Sequence, residues 1–309
     1  MPSSRVRPLQ DTVPVAAPAG VVYGILADAV RWPVLLASVL HAERMDFDGV
    51  EERLHVWDLV DGRVRTTRVR RRLRPHARTV RFEEEDIARR GEPVTGTWSV
   101  RGAGEERSLL SLHLDSVPAG PAARALGLRL EQVRQVAERW DRLDELLFAF
   151  EDEARAEGPA ELLYDFLYRV QDWPGSIPHV ECADLVEDRP GVQVTTLDSC
   201  AGDDGRTVTT RTVRLCFPHA GRIVYKDTAA PEPIAAHTGE WSLVPDACGT
   251  RIVCAHQVLL REEAVGPALG EGTSLLEARR YVREWLGRAG REALELARWH
   301  AESAVRRLR

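Results

Sequence analysis

The chain lacks several features that would place it outside the cytoplasm. No apolar run approaches the roughly 20 residues that a membrane-spanning helix requires. The N-terminal stretch MPSSRVRPLQDTV contains no apolar core of the kind that a secretory signal needs. Only five of the 309 residues are cysteines, and none forms a CxxC pair, which is typical of a chain in a reducing compartment. These absences predict a cytoplasmic protein with no membrane partner.

The sequence also lacks the motifs of several common enzyme classes. It contains no GxGxxG or GxxxxGK[ST] motif, which would bind a nucleotide, and no GxSxG motif, which would carry a serine nucleophile. Its His, Cys, Asp and Glu residues show no zinc or iron spacing. The formal net charge of −6 argues against a nucleic-acid surface. We therefore expect no cofactor, no metal and no nucleic-acid partner.

What the sequence does contain is a repeat of domain length. Tyr23 and Trp32-Pro33 recur at the same mutual spacing, 141 positions later, as Tyr164 and Trp173-Pro174. At an offset of 143, Pro75-His76, Gly96-x-Trp98 and His113 return as Pro218-His219, Gly239-x-Trp241 and His256. Solenoid repeats are only about 20–50 residues long, so each copy is a whole domain. The repeat predicts a tandem duplication, with domains at 1–147 and 148–309.

Each copy predicts the same order of elements. An extended stretch leads to a proline and then to an amphipathic helix that ends near Trp-Pro. A hairpin follows, with its turn at Asp61-Gly62 in the first copy and at 203–205 in the second, and then come further strands. A long helix closes each copy, at about 121–147 in the first and about 268–305 in the second. This order predicts an α+β fold in which the long helix lies across a curved antiparallel sheet and encloses a cavity.

Motifs at the front of each copy resemble those of a known family. The motif Pro18-x-x-Val21-Val22-Tyr23 runs to Trp32-Pro33 and is followed by Gly-x-Trp in a late strand. This combination is similar to the helix-grip fold of the START and polyketide-cyclase superfamily. The tandem arrangement and the tract WPGSIPHV at 173–180 resemble the di-domain aromatase/cyclases of bacterial type II polyketide synthases. The resemblance covers nearly the whole chain.

The resemblance implies both an architecture and an activity. It implies two tandem helix-grip domains, each a curved antiparallel sheet wrapped around a long C-terminal helix with an internal cavity. It also implies a cofactor-independent cyclase/dehydratase that acts on a poly-β-ketone held by an acyl carrier protein, together with other synthase subunits. Its reactions would be first-ring aldol cyclisation, dehydration to the aromatic ring, or both.

The second strand of each hairpin carries candidate site residues. Because side chains alternate across a strand, one face of each copy can be read from the sequence. The shared faces carry Arg65, Thr67, Val69 and Arg71 in the first copy, and Val208, Thr210, Thr212 and Arg214 in the second. The resemblance implies that Arg71 and Arg214 point into the cavity, where a guanidinium would stabilise an enolate or alkoxide oxygen. A β-bulge would instead turn Arg68 and Arg211 toward the cavity. The hairpin arginines would have a structural role if they paired with the glutamates at 83–85 on the next strand.

His113 and His256 fall at matching positions of the repeat and are the candidate acid–base residues. A neutral imidazole could take an α-proton or return one to a departing hydroxyl. Trp98 and Trp241 could stack on a nascent aromatic ring, or could simply belong to the core. The predicted catalytic residues are Arg71, His113, Arg214 and His256. The predicted substrate-binding residues are Arg65, Thr67, Val69, Trp98, Thr210, Thr212 and Trp241.

Two alternatives remain open at the level of the sequence. The same fold carries hydrophobic small molecules without chemistry, so a binding or transport protein is the alternative function. One copy could be catalytic and the other a scaffold, because their shared faces differ: Arg65 corresponds to Val208, and Val69 to Thr212. The sequence does not decide which pocket is catalytic or whether the substrate has been reduced.

Overall fold

The computed structural model describes residues 9–88, 92–115, 120–201 and 206–307. The chain divides into two compact units, Met1–Leu143 and Asp144–Arg309, called here the N-terminal and C-terminal domains. The predicted limits, 1–147 and 148–309, place the boundary slightly later, where the first strand of the second sheet begins, and remain a prediction.

The N-terminal domain is a seven-stranded antiparallel sheet with helices on one face. Its strands are β1 (Leu9–Val15), β2 (Val39–Phe47), β3 (Glu51–Val60), β4 (Arg63–Arg74), β5 (Thr79–Asp86), β6 (Val94–Gly102) and β7 (Ser108–Leu114). Its helices are α1 (Ala19–Ala27), α2 (Trp32–Leu35) and α3 (Pro121–Ala137), and α4 (Leu143–Leu146) leads into the next domain. The strand order is β1-β7-β6-β5-β4-β3-β2.

The C-terminal domain repeats this order. Its strands are β8 (Leu147–Ala156), β9 (Val180–Arg189), β10 (Val192–Ala201), β11 (Arg206–Phe217), β12 (Arg222–Ala229), β13 (Ile234–Asp246) and β14 (Gly249–Leu260). Its helices are α5 (Ala160–Tyr168), a 3-10 helix (Val170–Gly175), α6 (Val265–Leu269) and α7 (Leu275–Arg307). The strand order, β8-β14-β13-β12-β11-β10-β9, matches that of the first sheet. The predicted α+β tandem architecture is confirmed.

Each sheet has one edge strand, β2 or β9, that the sequence did not predict. In β2 most side chains beyond Ala42 are exposed, and in β9 only Val180 is fully buried. An edge strand packs little of its length against the core, so its sequence shows no clear alternation of apolar and polar residues.

The long closing helices also differ from their predicted spans. The first ends at Ala137 instead of continuing to 147, and a turn separates it from α4. The second begins at Leu275, because Gly270 and Gly272 take positive φ angles (111° and 86°) that end the short α6 and prevent a continuous helix.

The first hairpin and its alternating faces are confirmed. Asp61 and Gly62 both take positive φ angles (51° and 73°), as a tight two-residue turn between twisted strands requires. The predicted second turn at 203–205 lies outside the described residues. On β4, Arg65, Thr67, Val69 and Arg71 are buried on the inner face, whereas the arginines between them are exposed.

The Gly-x-Trp motif leaves room for an aromatic ring on the neighbouring strand. Gly96 pairs with Phe82, and a Cβ at Gly96 would lie 2.5 Å from the His113 backbone oxygen and 2.9 Å from Phe82 Cζ. In the second domain a Cβ at Gly239 would lie 2.3 Å from Tyr225 Cζ. Glycine therefore allows the aromatic ring to lie directly over the neighbouring backbone in both domains.

We expect Gly96→Ala to destabilise the N-terminal domain by about 1–3 kcal/mol, because the new methyl group overlaps backbone that cannot move freely. Urea denaturation followed by circular dichroism measures the change. Gly102→Ala on the same strand is the matched control, since a Cβ there meets no atom within 4 Å. Equal midpoints for the two variants would contradict the explanation.

Candidate active site

An internal cavity of about 180 Å³ lies in the C-terminal domain, between the inner face of its sheet and α7. Strands β10 to β14 supply inward-facing side chains, and Trp173 and Trp241 provide aromatic walls. Helix α7 contributes Trp285 and Leu286 to the lining and, one turn further on, the small residues Ala289, Gly290 and Ala293. Apolar and aromatic walls with a few polar groups are typical of a small-molecule site.

Arg214 on β11 forms part of the cavity wall and ties the sheet to the end of α5. Its Nη1 donates to the Tyr168 backbone oxygen (3.3 Å) and to Gln193 Oε1 (2.8 Å), and its Nη2 donates to the Leu167 backbone oxygen. Carbonyl groups at a helix C-terminus carry partial negative charge, which stabilises a cation. Burial lowers the pKa of Arg214. Among the described residues no carboxylate pairs with this guanidinium, so neutral groups hold a charged side chain at the cavity.

Arg71 makes the equivalent tie in the N-terminal domain but has a different partner. Its Nη1 and Nη2 donate to the backbone oxygens of Leu26 (2.6 Å) and Ala27 (2.7 Å), and its Nε donates to Glu52 Oε1 (2.7 Å). Glu52 faces Arg71 across β3 and β4 as Gln193 faces Arg214 across β10 and β11. Arg71 therefore pairs directly with a carboxylate, whereas Arg214 contacts neutral groups, and Glu187 lies one hydrogen bond further away, on Gln193.

Ion pairs occupy the N-terminal interior where the C-terminal domain has its cavity. Arg129 of α3 donates to both oxygens of Asp58 at 3.0 Å, and to Glu84 at 3.5 Å. Arg65 donates to Glu84 at 2.6 Å and to Asp86 at 3.0 Å. These paired side chains fill the space between the sheet and α3.

Two matching hydrogen bonds, one in each domain, show which positions of α3 and α7 correspond. Glu138, at the end of α3, accepts a hydrogen bond from the Ala16 backbone N–H (3.3 Å). Glu302 on α7 accepts one from the Glu157 backbone N–H (3.2 Å). Ala16 and Glu157 both lie shortly after the first strand of their domain, so the two glutamates are equivalent positions.

Side chains at equivalent positions of α3 and α7 differ in size, which explains how the cavity arises. Arg129 in α3 and Ala293 in α7 lie the same number of residues before Glu138 and Glu302, so they are equivalent positions. Leu126 and Gly290, about one helical turn earlier, are equivalent in the same way. Arg129 and Leu126 are fully buried in the N-terminal domain, whereas Ala293 and Gly290 line the C-terminal cavity. Two large side chains on one helix are thus replaced by small ones on the other.

Four side chains near α7 form a connected polar group around His256. His237 Nδ1 lies 2.7 Å from Asp227 Oδ2, and His237 Nε2 lies 3.0 Å from His256 Nδ1. The Tyr225 hydroxyl lies 3.1 Å from the same His256 nitrogen, and Cys254 Sγ lies 3.1 Å from His256 Nε2. All but Cys254 line the cavity.

The titration of this group follows from its burial. Burial, followed by the charges of His237 and Arg283, lowers the pKa of His256 to about 3. Burial raises the pKa of the Cys254 thiol and of the Tyr225 phenol. His256, Cys254 and Tyr225 are therefore neutral near pH 7.

The predicted residues of the C-terminal domain come together in this cavity. Arg214, His256, Thr210, Thr212 and Trp241 all line it. In the N-terminal domain Arg65, Thr67, Val69, Arg71 and Trp98 are buried on the inner face, among the ion pairs and packed aromatic rings that fill it. Their roles in substrate binding and catalysis remain predictions.

The prediction that His113 occupies the same cavity position as His256 was wrong. Across β6 and β7 Gly96 pairs with Leu114, and across β13 and β14 Gly239 pairs with His256. Leu114 is therefore the counterpart of His256. The His113 side chain is 45% exposed, whereas His256 is 4% exposed. The β13–β14 hairpin has a shorter tip, so equal spacing in sequence does not give equal positions, and a shift of one residue reverses the face.

Sequence comparison missed Asp227, His237 and Tyr225. Comparing the two copies finds only residues that they share, and these three are not shared. For example, Asp227 pairs with Thr212 across the C-terminal sheet, and the equivalent residue of the N-terminal sheet, which pairs with Val69, is Glu84. A signal was nevertheless present, since polar side chains lie on the buried faces of neighbouring strands.

Within the described ranges, no helix combines the length and apolar content that a membrane span needs. Across the same residues, no cluster of three or more His, Cys, Asp or Glu side chains is arranged to hold a metal ion.

The architecture and the cavity define the class of protein: two tandem helix-grip domains. Two solved di-domain aromatase/cyclases share this architecture over 96% of this chain and 99% of their own. StfQ from the steffimycin pathway is 31% identical with a TM-score of 0.86. BexL from the BE-7585A pathway is 32% identical with a TM-score of 0.83.

Curated relatives narrow the class to a family. The granaticin polyketide synthase bifunctional cyclase/dehydratase of Streptomyces violaceoruber is 31% identical, over 99% of this chain and 97% of its own length. The actinorhodin counterpart of Streptomyces coelicolor is also 31% identical, over 95% of each chain. The chain matches no protein-family model. By these similarities it belongs to the family of polyketide synthase bifunctional cyclase/dehydratases.

Glu52→Gln should destabilise the N-terminal domain by about 3–5 kcal/mol, because it leaves Arg71 as a buried charge without an ionic partner. Removing a neutral partner costs less, so Gln193→Ala should destabilise the C-terminal domain by about 1–3 kcal/mol. Urea midpoints measured by circular dichroism provide the comparison. A smaller loss for Glu52→Gln than for Gln193→Ala would contradict the contrast between the two arginines.

His256 should make stability depend on pH below neutrality. The unfolded histidine binds a proton near pH 6.5, whereas the folded one binds it only near pH 3. Between these values the unfolded state holds more protons, so stability falls as pH falls, by up to about 1.4 kcal/mol per pH unit. Urea midpoints from pH 7 to pH 4 should show a shallower slope for His256→Asn. His113→Asn, at an exposed histidine, should keep the wild-type slope, and equal slopes for both variants would refute the expectation.

Proposed function

We propose that this chain is an aromatase/cyclase that closes and aromatises the first ring of a poly-β-ketone bound to an acyl carrier protein. Membership of the cyclase/dehydratase family and the similarity to two di-domain aromatase/cyclases support this activity. We propose the carrier protein and the other subunits of a type II polyketide synthase as its partners. The relatives are named as components of polyketide synthases, which supports this choice.

We place the chemistry in the C-terminal cavity. The observation that carries this assignment is that Arg214, at the cavity wall, donates only to neutral groups, whereas Arg71 pairs directly with the carboxylate of Glu52. Ring closure and dehydration both develop negative charge on a carbonyl oxygen. A buried guanidinium whose partners are neutral can stabilise that oxygen strongly in a water-poor cavity.

The other cavity residues have roles that fit this reaction. His256 is the acid–base residue, since it is neutral near pH 7 and lines the cavity. Trp173 and Trp241 offer flat surfaces on which a forming aromatic ring can stack. Thr210 and Thr212 line the cavity beside Arg214, where they would contact the folded poly-β-ketone.

We propose that the N-terminal domain is a scaffold. Its interior side chains at the predicted positions are engaged in ion pairs and core packing, so Arg65 and Arg71 have little freedom to bind a substrate. Thr67, Val69 and Trp98 belong to the same filled interior.

Arg214→Gln should lower the rate of aromatised product formation about 10²–10³-fold, because it removes the charge that stabilises the oxyanion. The assay is a reconstituted minimal polyketide synthase, with and without a ketoreductase, and product analysis by mass spectrometry. Arg214→Lys keeps the charge and should retain more activity than Arg214→Gln. Arg211→Gln, on the exposed face of the same strand, is the matched control and should keep the wild-type rate.

A second pair of variants locates the reaction. Gly290→Leu places a side chain in the C-terminal cavity and should abolish both product formation and the binding of an aromatic product, followed by tryptophan fluorescence. Arg288→Leu, at an exposed position of the same helix, should leave both unchanged. Wild-type turnover by Gly290→Leu would place the chemistry elsewhere, and binding without turnover in the wild-type chain would favour a transport protein.

A further inference from the structure

His256 belongs to a longer hydrogen-bonded chain that ends at a buried carboxylate. Thr212 Oγ1 donates to Asp227 Oδ1 (2.7 Å), and His237 Nδ1 lies 2.7 Å from Asp227 Oδ2. Both carboxylate oxygens are therefore engaged, one by a hydroxyl and one by an imidazole. His256 follows, 3.0 Å beyond His237, and its ring lies nearly parallel to the His237 ring (9°).

The donors and acceptors of this chain fit one arrangement of protons. An ionised Asp227 only accepts, so His237 carries its proton on Nδ1 and has an accepting Nε2. That nitrogen can then accept the Nδ1–H of His256, with the Tyr225 hydroxyl oxygen as a second acceptor 3.1 Å from Nδ1, which leaves His256 Nε2 unprotonated. The Cys254 thiol, 3.1 Å from His256 Nε2, can donate to it weakly. All hydrogen bonds of the chain then run in one direction, toward Asp227.

The basic nitrogen of this chain lies close to a glycine of the helix above it. A Cβ built on Gly290 would lie 3.4 Å from His256 Nε2, so any side chain at this position would cover that nitrogen. Gly290 and His256 both line the cavity. The end of the chain that can take a proton therefore belongs to a residue of the cavity wall.

The charged groups near the two histidines differ. Asp227 contacts His237, and no carboxylate contacts His256 among the described residues. Arg283 of α7 opposes a charge on His256, although Asp152 of β8 pairs with this arginine at 3.0 Å. The low pKa of His256 agrees with a ring that passes a proton on without keeping the charge.

We propose that His237 and Asp227 store the proton that the reaction moves, and that His256 Nε2 is where this proton enters and leaves. The proposal rests on the proposed cyclase/dehydratase function. His256 is its catalytic residue, His237 is the relay residue, and Asp227 is the positioning residue that fixes the His237 ring and stabilises its charge.

Dehydration illustrates how the relay balances. His256 Nε2 takes the proton from the carbon next to a carbonyl, and the C–H electrons form an enolate whose oxygen faces the guanidinium of Arg214. The Nδ1 proton of His256 shifts to His237 Nε2, which places the imidazolium beside Asp227. The β-hydroxyl then leaves with the C–O electrons and receives the proton back from His256 Nε2, as the Nδ1 proton returns. Water and a carbon–carbon double bond form, and the relay regains its first state.

Histidine ring NMR on the full chain tests the relay without any substrate. In protein labelled with ¹⁵N-histidine, His256 and His237 should both carry their protons on Nδ1, with assignments from His256→Asn and His237→Asn. Asp227→Asn should change the ring-nitrogen signals of both histidines, whereas Ser199→Ala, at another cavity position, should change neither. A His256 ring protonated on Nε2, or histidine signals that do not respond to Asp227→Asn, would overturn the proposal.

Kinetics in the reconstituted synthase tests the role of the relay. His237→Asn and Asp227→Asn should each lower the rate of aromatised product formation by about 10²–10⁴-fold, the usual size of an acid–base contribution. Binding of an aromatic product, measured by tryptophan fluorescence, should stay unchanged, and Arg211→Gln, on the exposed face of β11, should keep the wild-type rate. Wild-type turnover by Asp227→Asn would overturn the relay. A wild-type chain that yields no aromatised product would instead refute the proposed function, while the NMR result would still decide the arrangement of protons.

Discussion

One buried arginine ties the first helix of each domain to the middle of its sheet, and the interior depends on what neutralises it. Arg71 and Arg214 both donate to the last carbonyl groups of that helix, so both are needed to hold the fold together. With Glu52 as partner, the arginine is part of an ion pair and contributes structure. With Gln193 as partner, the same arginine keeps its charge available at the cavity wall.

A second difference lies on the long helix and determines whether the interior is open. The N-terminal helix directs Arg129 toward the sheet, where it pairs with Asp58 and Glu84 in a buried charged network. The C-terminal helix has alanine and glycine at the matching places, so the polar side chains below it face a cavity. Duplication thus produced two domains with one backbone plan, in which a few side chains separate a filled interior from an open one.

The sequence carried much of the fold because its repeat, its turns and its alternating strand faces are local signals. Asp61-Gly62 specifies the hairpin, and the alternation on β4 placed Arg71 on the inner face correctly. Contacts between distant elements were not readable in this way. Nothing near Arg214 in sequence shows that Gln193 replaces a glutamate, and nothing near His256 shows that the tip of its hairpin is shorter than that of its counterpart.

Gly290 shows how an open interior limits the stability of the domain that has it. A glycine inside a helix costs about 1 kcal/mol relative to alanine, so Gly290 is a position where alanine would ordinarily be introduced to raise a melting temperature. The added methyl group would lie 3.4 Å from His256 Nε2 and would crowd that nitrogen at the cavity wall. Thermal robustness and access to that nitrogen are therefore in competition at a single backbone position.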